Sequence, residues 1–210
     1  MKNILCFGDS NTWGYELLVA GRYPVDVRWT GVLQRLLGVG FRVVEEGLNG
    51  RTNVTNEASR PIRSGLDVLP VLLESHRPLD LVVIMLGTND LKHGFGLSAE
   101  QIADGARRVC RSVVDCEYLA EAPPQILLIS PTHVASVPED QRDVFLGAME
   151  KSRELAGHYR AIADDLGANF LDASKIVVTT DLDGVHWDAT QHSAFGEALA
   201  RVVKQLVSAE

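Results

Sequence analysis

At 210 residues the chain is long enough for one domain with a substantial core and short for two, and its 46% hydrophobic and 23% charged residues exclude disordered, fibrous and disulfide-built classes. Twenty basic against 28 acidic residues leave a formal charge of −8, which repels nucleic acid and anionic lipid and so excludes them as expected partners. With no 18-residue apolar run and a polar turn at Asp9-Ser10-Asn11 that interrupts any signal-peptide pattern, residues 1–210 are expected to form a single soluble, cytoplasmic domain.

The first strand is expected over Asn3 to Phe7, and the small-residue turn Gly8-Asp9-Ser10-Asn11-Thr12 follows it at once. Such a turn lifts a hydroxyl above a strand end, although Gly-Asp-Ser is also ordinary turn chemistry. It lacks the second glycine of G-x-S-x-G, so an α/β-hydrolase fold is not indicated. Trp29, Val32, Leu33, Leu36 and Leu37 then recur at helical spacing, and Gly38 supplies a stop.

A second strand over Arg42 to Glu46 leads into a polar loop between Gly47 and Gly65. Within it Gly50 has no Cβ to crowd a ligand, so its N–H is open to close approach. Arg51, Arg60 and Arg63 of this loop read as solvated or interface side chains. The third strand, Leu81 to Leu86, ends in Gly87-Thr88-Asn89-Asp90, where the Asn89 amide can donate to a developing oxyanion.

A helical stripe of Ile102, Ala106, Val109, Cys110, Val113 and Cys116 follows, and its cysteines read as core residues of a protein kept reduced, since no C-x-x-C occurs. The fourth strand, Gln125 to Ile129, opens a loop over Ser130 to Asp140 with Pro131 and Pro138. After the fifth strand, Asn169 to Asp172, comes Asp183-Gly184-Val185-His186, a spacing that lets Asp183 reach His186 Nδ1 and leaves Nε2 free. Phe195, Ala198, Leu199, Val202, Val203 and Leu206 mark a closing helix with Asp188 or Thr190 as N-cap.

Strands alternating with helices predict an α/β fold: a three-layer, flavodoxin-like, five-stranded parallel sheet of order 2-1-3-4-5 with helices on both faces. All the chemistry-bearing turns then fall on the carboxyl edge of the sheet. Gly94-Phe95-Gly96-Leu97-Ser98-Ala99 fits a dinucleotide fingerprint nominally but starts seven residues too late after its strand. The six histidines show no H-x-x-x-H spacing and Asp181-Leu182-Asp183-Gly184 misses the calcium-loop pattern, so neither a metal nor a cofactor is expected. A non-catalytic binding module on the same fold has no use for both a serine and a histidine oriented by aspartate.

The blocks holding Ser10, Gly50, Asn89 and His186 resemble the SGNH (GDSL-type) hydrolase family over nearly the whole chain. The resemblance implies a serine ester hydrolase with Ser10 as nucleophile, Asp183 and His186 completing a catalytic triad, and the Ser10 amide, Gly50 and Asn89 as oxyanion donors. Asp26–Leu33, Val43–Leu48 and Ile84–Asp90 resemble the bacterial arylesterase and acyltransferase branch, which favours short acyl groups. Asn11 stands where the family name has Leu, a change read as leaving the chemistry untouched, and Gly50 stands where Ala is expected in the acyltransferases. The implied activity is hydrolysis of short-chain acyl or aryl esters, acetylated sugars among them, through an acyl-enzyme that also transfers to alcohols, in a protein that forms a homo-oligomer. Trp13, Tyr15 and Trp187 flank the catalytic turns, and Trp13 and Trp187 are assigned to an apolar substrate-binding wall.

Overall fold

The structure is a computed structural model that describes residues 1–57, 59–119 and 121–207. In chain order its principal elements are β1 (Lys2–Gly8), α1 (Ser10–Trp13), β2 (Tyr15–Glu16), β3 (Gly21–Arg22), α2 (Trp29–Leu37), β4 (Phe41–Gly47), α3 (Gly65–His76), β5 (Leu81–Met85), α4 (Ala99–Val114), β6 (Gln125–Ser130), α5 (Ala148–Leu166), β7 (Asn169–Asp172) and α6 (Ala189–Leu206). Five of the strands form one parallel sheet in the order β4-β1-β5-β6-β7, which is 2-1-3-4-5 when only these five are counted. The pair β2–β3, two residues each and antiparallel, stands apart as an outgrowth after α1.

The apolar runs of the strands follow from burial on both faces. Along β1, Leu5 and Phe7 point into a core shared with α3, α4 and α5, while Ile4 and Cys6 point into one shared with α2 and α6. β5 lies at the centre, and all five of its residues are buried. Leu86, expected in that strand, lies just beyond it because pairing with β6 ends at Met85.

The helix ends have readable causes. The Ser98 hydroxyl accepts the Gln101 N–H while Gln101 Oε1 accepts the Ser98 N–H, so the stretch that mimics a dinucleotide fingerprint is a capping box for α4. Of the two caps considered for α6, Asp188 fills the role by accepting the Gln191 N–H. Cys116 lies past the end of α4 rather than on its stripe, half-buried against the same core. Among the described residues no helix is long and apolar enough to cross a membrane.

Candidate active site

Ser10 opens α1 directly above the carboxyl end of β1, where Asp9 caps the short helix by accepting the Asn11 N–H at 3.0 Å. The Ser10 hydroxyl lies 2.9 Å from His186 Nε2, and His186 Nδ1 lies 2.5 Å from Asp183 Oδ2. The other Asp183 oxygen accepts the N–H groups of Val185 and His186 at 3.0 and 2.9 Å, so the turn that presents the imidazole is tied to the carboxylate that orients it. Burial works against the charge on Asp183, but hydrogen bonds and attraction from His186 hold its carboxyl below the usual carboxylate range. With Nδ1 donating to Asp183, Nε2 is the acceptor for the Ser10 hydroxyl.

Asn11 joins the two halves of this arrangement. Its buried carboxamide donates to the Val185 carbonyl at 3.2 Å and accepts the Trp187 N–H at 3.1 Å, grasping the main chain on both sides of His186. Asn11, expected to leave the chemistry untouched, is thus hydrogen-bonded to the histidine loop on both sides, next to the serine.

Gly50 and Asn89 reach the same cavity from β4 and β5. Gly50 has φ +80, a conformation that favours glycine, and Asn89 Nδ2 donates to the Arg51 carbonyl at 3.1 Å. Next to it, both oxygens of buried Asp90 accept the Asn53 N–H at 3.0 Å, binding the β4–α3 loop to the turn after β5. Burial raises the carboxyl of Asp90 to about 7 and that of Asp9 to about 6. The cavity, about 410 Å³, has Tyr15, Leu17, Val144 and Phe145 on its apolar side, and the Tyr15 ring centroid lies 4.7 Å from that of His186.

The expected residues Ser10, Gly50, Asn89, Asp183 and His186 thus surround one cavity. The two tryptophans do not join them. Trp187 is 2% exposed, packs at a tilt against Phe195 of α6 and donates its indole N–H to Thr132, so it fills the core. Trp13 packs against Tyr15 and under the Arg22 guanidinium, outside the cavity lining. Tyr15 takes the place expected for them, because Gly14 turns the chain left-handed at the end of α1 and swings residue 15 back over the histidine.

Arg51 is a second correction. It is 3% exposed, lies over the Phe7 ring, and donates from Nη1 to the carbonyls of Gly8 and Glu46. Burial lowers its guanidinium to about 10, which still leaves it charged at neutral pH. Arg60 also departs from the solvated reading, lying half-buried in the cavity wall.

The GDSL-like lipase/acylhydrolase family model matches residues 6–196. Among solved structures, the native aryl esterase of M. smegmatis is 38% identical with a TM-score of 0.93, over 99% of this chain and 100% of that one. Est24, a carbohydrate acetylesterase from Sinorhizobium meliloti, is 37% identical with a TM-score of 0.93, again over 99% and 100%. Another carbohydrate acetylesterase family member from Sinorhizobium meliloti is 39% identical with a TM-score of 0.94, over 98% and 99%. No curated protein sequence matches the chain. A family match spanning nearly the whole sequence, on the same fold as these esterases, makes the chain a member of the GDSL-like lipase/acylhydrolase family, an SGNH hydrolase acting on carboxylic esters.

Proposed function

We propose that the chain is a serine esterase for short-chain acyl and aryl esters, acetylated sugars among them, working through an acyl-enzyme on Ser10. The observation that carries this reading is the unbroken hydrogen-bonded series from Asp183 through His186 to the Ser10 hydroxyl at a cavity wall. His186 Nε2 takes the hydroxyl proton as Ser10 Oγ attacks the ester carbonyl, and Asp183 steadies the imidazolium that forms. The carbonyl oxygen becomes an oxyanion facing the Ser10 and Gly50 N–H groups and Asn89 Nδ2, donors of a kind whose individual loss costs about 3–4 kcal/mol of transition-state stabilisation. The alcohol leaves with the proton from His186, and water, activated by the same base, releases the acid.

Substrate class is supported by the apolar side of the cavity, which suits a small acyl or aryl group, and by the names of the aryl esterase and carbohydrate acetylesterase relatives. An alcohol reaching the acyl-enzyme in place of water gives transesterification; with added alcohol, a new ester among the products is expected, and acid alone would remove this part of the reading. Three unpaired thiols, with Cys6 and Cys110 buried, fit a reducing compartment, and we place the enzyme in the cytoplasm.

The test is hydrolysis of p-nitrophenyl acetate at about pH 7.5, near the working range of a histidine base. Wild type should turn over and Ser10→Ala should fall to near background. Chelator should leave the wild type unaffected, since nucleophile, base and donors are all protein groups. An unaffected Ser10→Ala variant would refute the nucleophile, and an inactive wild type that binds esters would favour a binding module.

A further inference from the structure

Arg60, Lys92 and Asp183 are the charged residues lining the cavity apart from His186. Two of them have partners: Asp183 holds His186, and Lys92 is ion-paired with Glu57. Arg60 has no carboxylate within ion-pair distance among the described residues. Its Nη2 donates to the Asn49 carbonyl at 2.7 Å, which anchors the guanidinium without neutralising it. It lies against Gly50, so close that a Cβ at that position would meet Arg60 Nη1 at 2.5 Å. A half-buried, uncompensated guanidinium with spare N–H donors therefore stands beside the glycine assigned to the ester carbonyl. A planar fork of this kind matches a carboxylate, and the bond strengthens where solvent is partly displaced. The overall charge of −8 opposes anions only weakly at the cavity, because ions screen exposed charges beyond about 8–10 Å.

We propose that Arg60 makes this cavity a site for esters that themselves carry a carboxylate, with the guanidinium receiving the anion next to the ester being cleaved. The inference rests on the Ser10 chemistry proposed above and adds the class of substrate. The anion can belong to the acyl part, as in the half-ester of a dicarboxylic acid, or to the alcohol part, as in an acetylated hydroxy acid.

Two substrate pairs separate these sources: mono-p-nitrophenyl adipate against its methyl ester, and meta-acetoxybenzoate against its methyl ester. The quantity to read is the ratio of kcat/KM for acid over methyl ester in wild type, Arg60→Gln and Arg60→Lys, so that any general effect on turnover cancels. We expect a wild-type ratio above one on at least one pair, a fall of about tenfold or more in Arg60→Gln, as loss of one charge-assisted bond gives, and an intermediate ratio in Arg60→Lys, which keeps the charge but not the fork. Wild-type ratios below one on both pairs overturn the proposal. So does a ratio that Arg60→Gln leaves unchanged, including the case in which acid and methyl ester lose activity equally.

Binding of monomethyl and dimethyl adipate to Ser10→Ala, with and without Arg60→Gln, asks the same question without turnover. Preference for the acid that disappears with Arg60 supports the site even if the wild type proves inactive, in which case it is the Ser10 chemistry that fails; absence of such preference overturns it.

Discussion

One carboxamide in the active site spans a sequence separation of 174 residues. Asn11 holds Val185 and Trp187, and the imidazole between them is presented to Ser10 at 2.9 Å. In Asn11→Leu the Val185 carbonyl and Trp187 N–H lose these partners, an effect of about 1–3 kcal/mol for each buried group left unsatisfied. Because Asn11 is absent from the cavity lining, steady-state kinetics on p-nitrophenyl acetate should show kcat lowered about tenfold with KM nearly kept, as misplacement of a catalytic group does. An unchanged kcat would show that the loop is held by other contacts. Sequence reading put Ser10, Asp183 and His186 at one sheet edge because several turns, each ordinary by itself, follow strands on the same side, and the structure brings the three into one hydrogen-bonded series. It missed the reach of Asn11, whose partners are set only by tertiary folding, and it misjudged Arg51, whose acceptors are main-chain oxygens with no signature in residue type.

At the scale of elements, α1 is seated by close approach to β4. A Cβ on Gly47 would lie 2.1 Å from the Trp13 nitrogen and 2.5 Å from its Cα, so that strand and helix touch backbone to backbone. Gly47→Ala should push α1 outward, cost about 1–3 kcal/mol as overpacking does, and move Ser10 off line with His186. A melting temperature several degrees lower together with a fall in kcat is the expected pair of results; full activity at wild-type stability would mean that the helix has slack. The five sheet strands were legible as short apolar runs, since both their faces are covered, and the faces of α2, α4 and α6 were legible because burial on one side imposes a helical period. The two-residue strands β2 and β3 are too short to impose one, so Tyr15, placed beside the catalytic turns, was ranked below Trp13 and Trp187 for the cavity wall. Trp187 was misassigned for a related reason: an aromatic residue before a helix can face a cleft or the helix's own core, and here it packs on Phe195.

For the whole molecule, the layer between α2 and α6 contains an ionisable group that resists its charge. His192 is fully buried between Tyr23 and Trp187, its Nδ1 accepts the Trp29 N–H at 3.4 Å, and burial lowers its pKa to about 4. Between the ordinary histidine value and about 4, the unfolded chain binds a proton that the folded chain refuses, so stability falls as pH falls through that window. Asp90 acts in the opposite sense, since its carboxyl is raised by burial and its contribution declines as pH rises toward about 7. Urea unfolding at about pH 8 and about pH 5 should therefore show that His192→Gln escapes about 2 kcal/mol of the acid-side loss suffered by the wild type. Equal losses in the two proteins would mean that His192 accepts its proton without unfolding.

The Arg51 guanidinium acts across the whole sheet edge in a different way. Its Nη1 ties the Gly8 carbonyl at the end of β1 to the Glu46 carbonyl one residue before the end of β4, and the serine turn and the Gly50 loop depart from those two strand ends. On the proposed mechanism, the spacing between the attacking oxygen and the receiving amides is thereby braced by one buried side chain before any ester arrives.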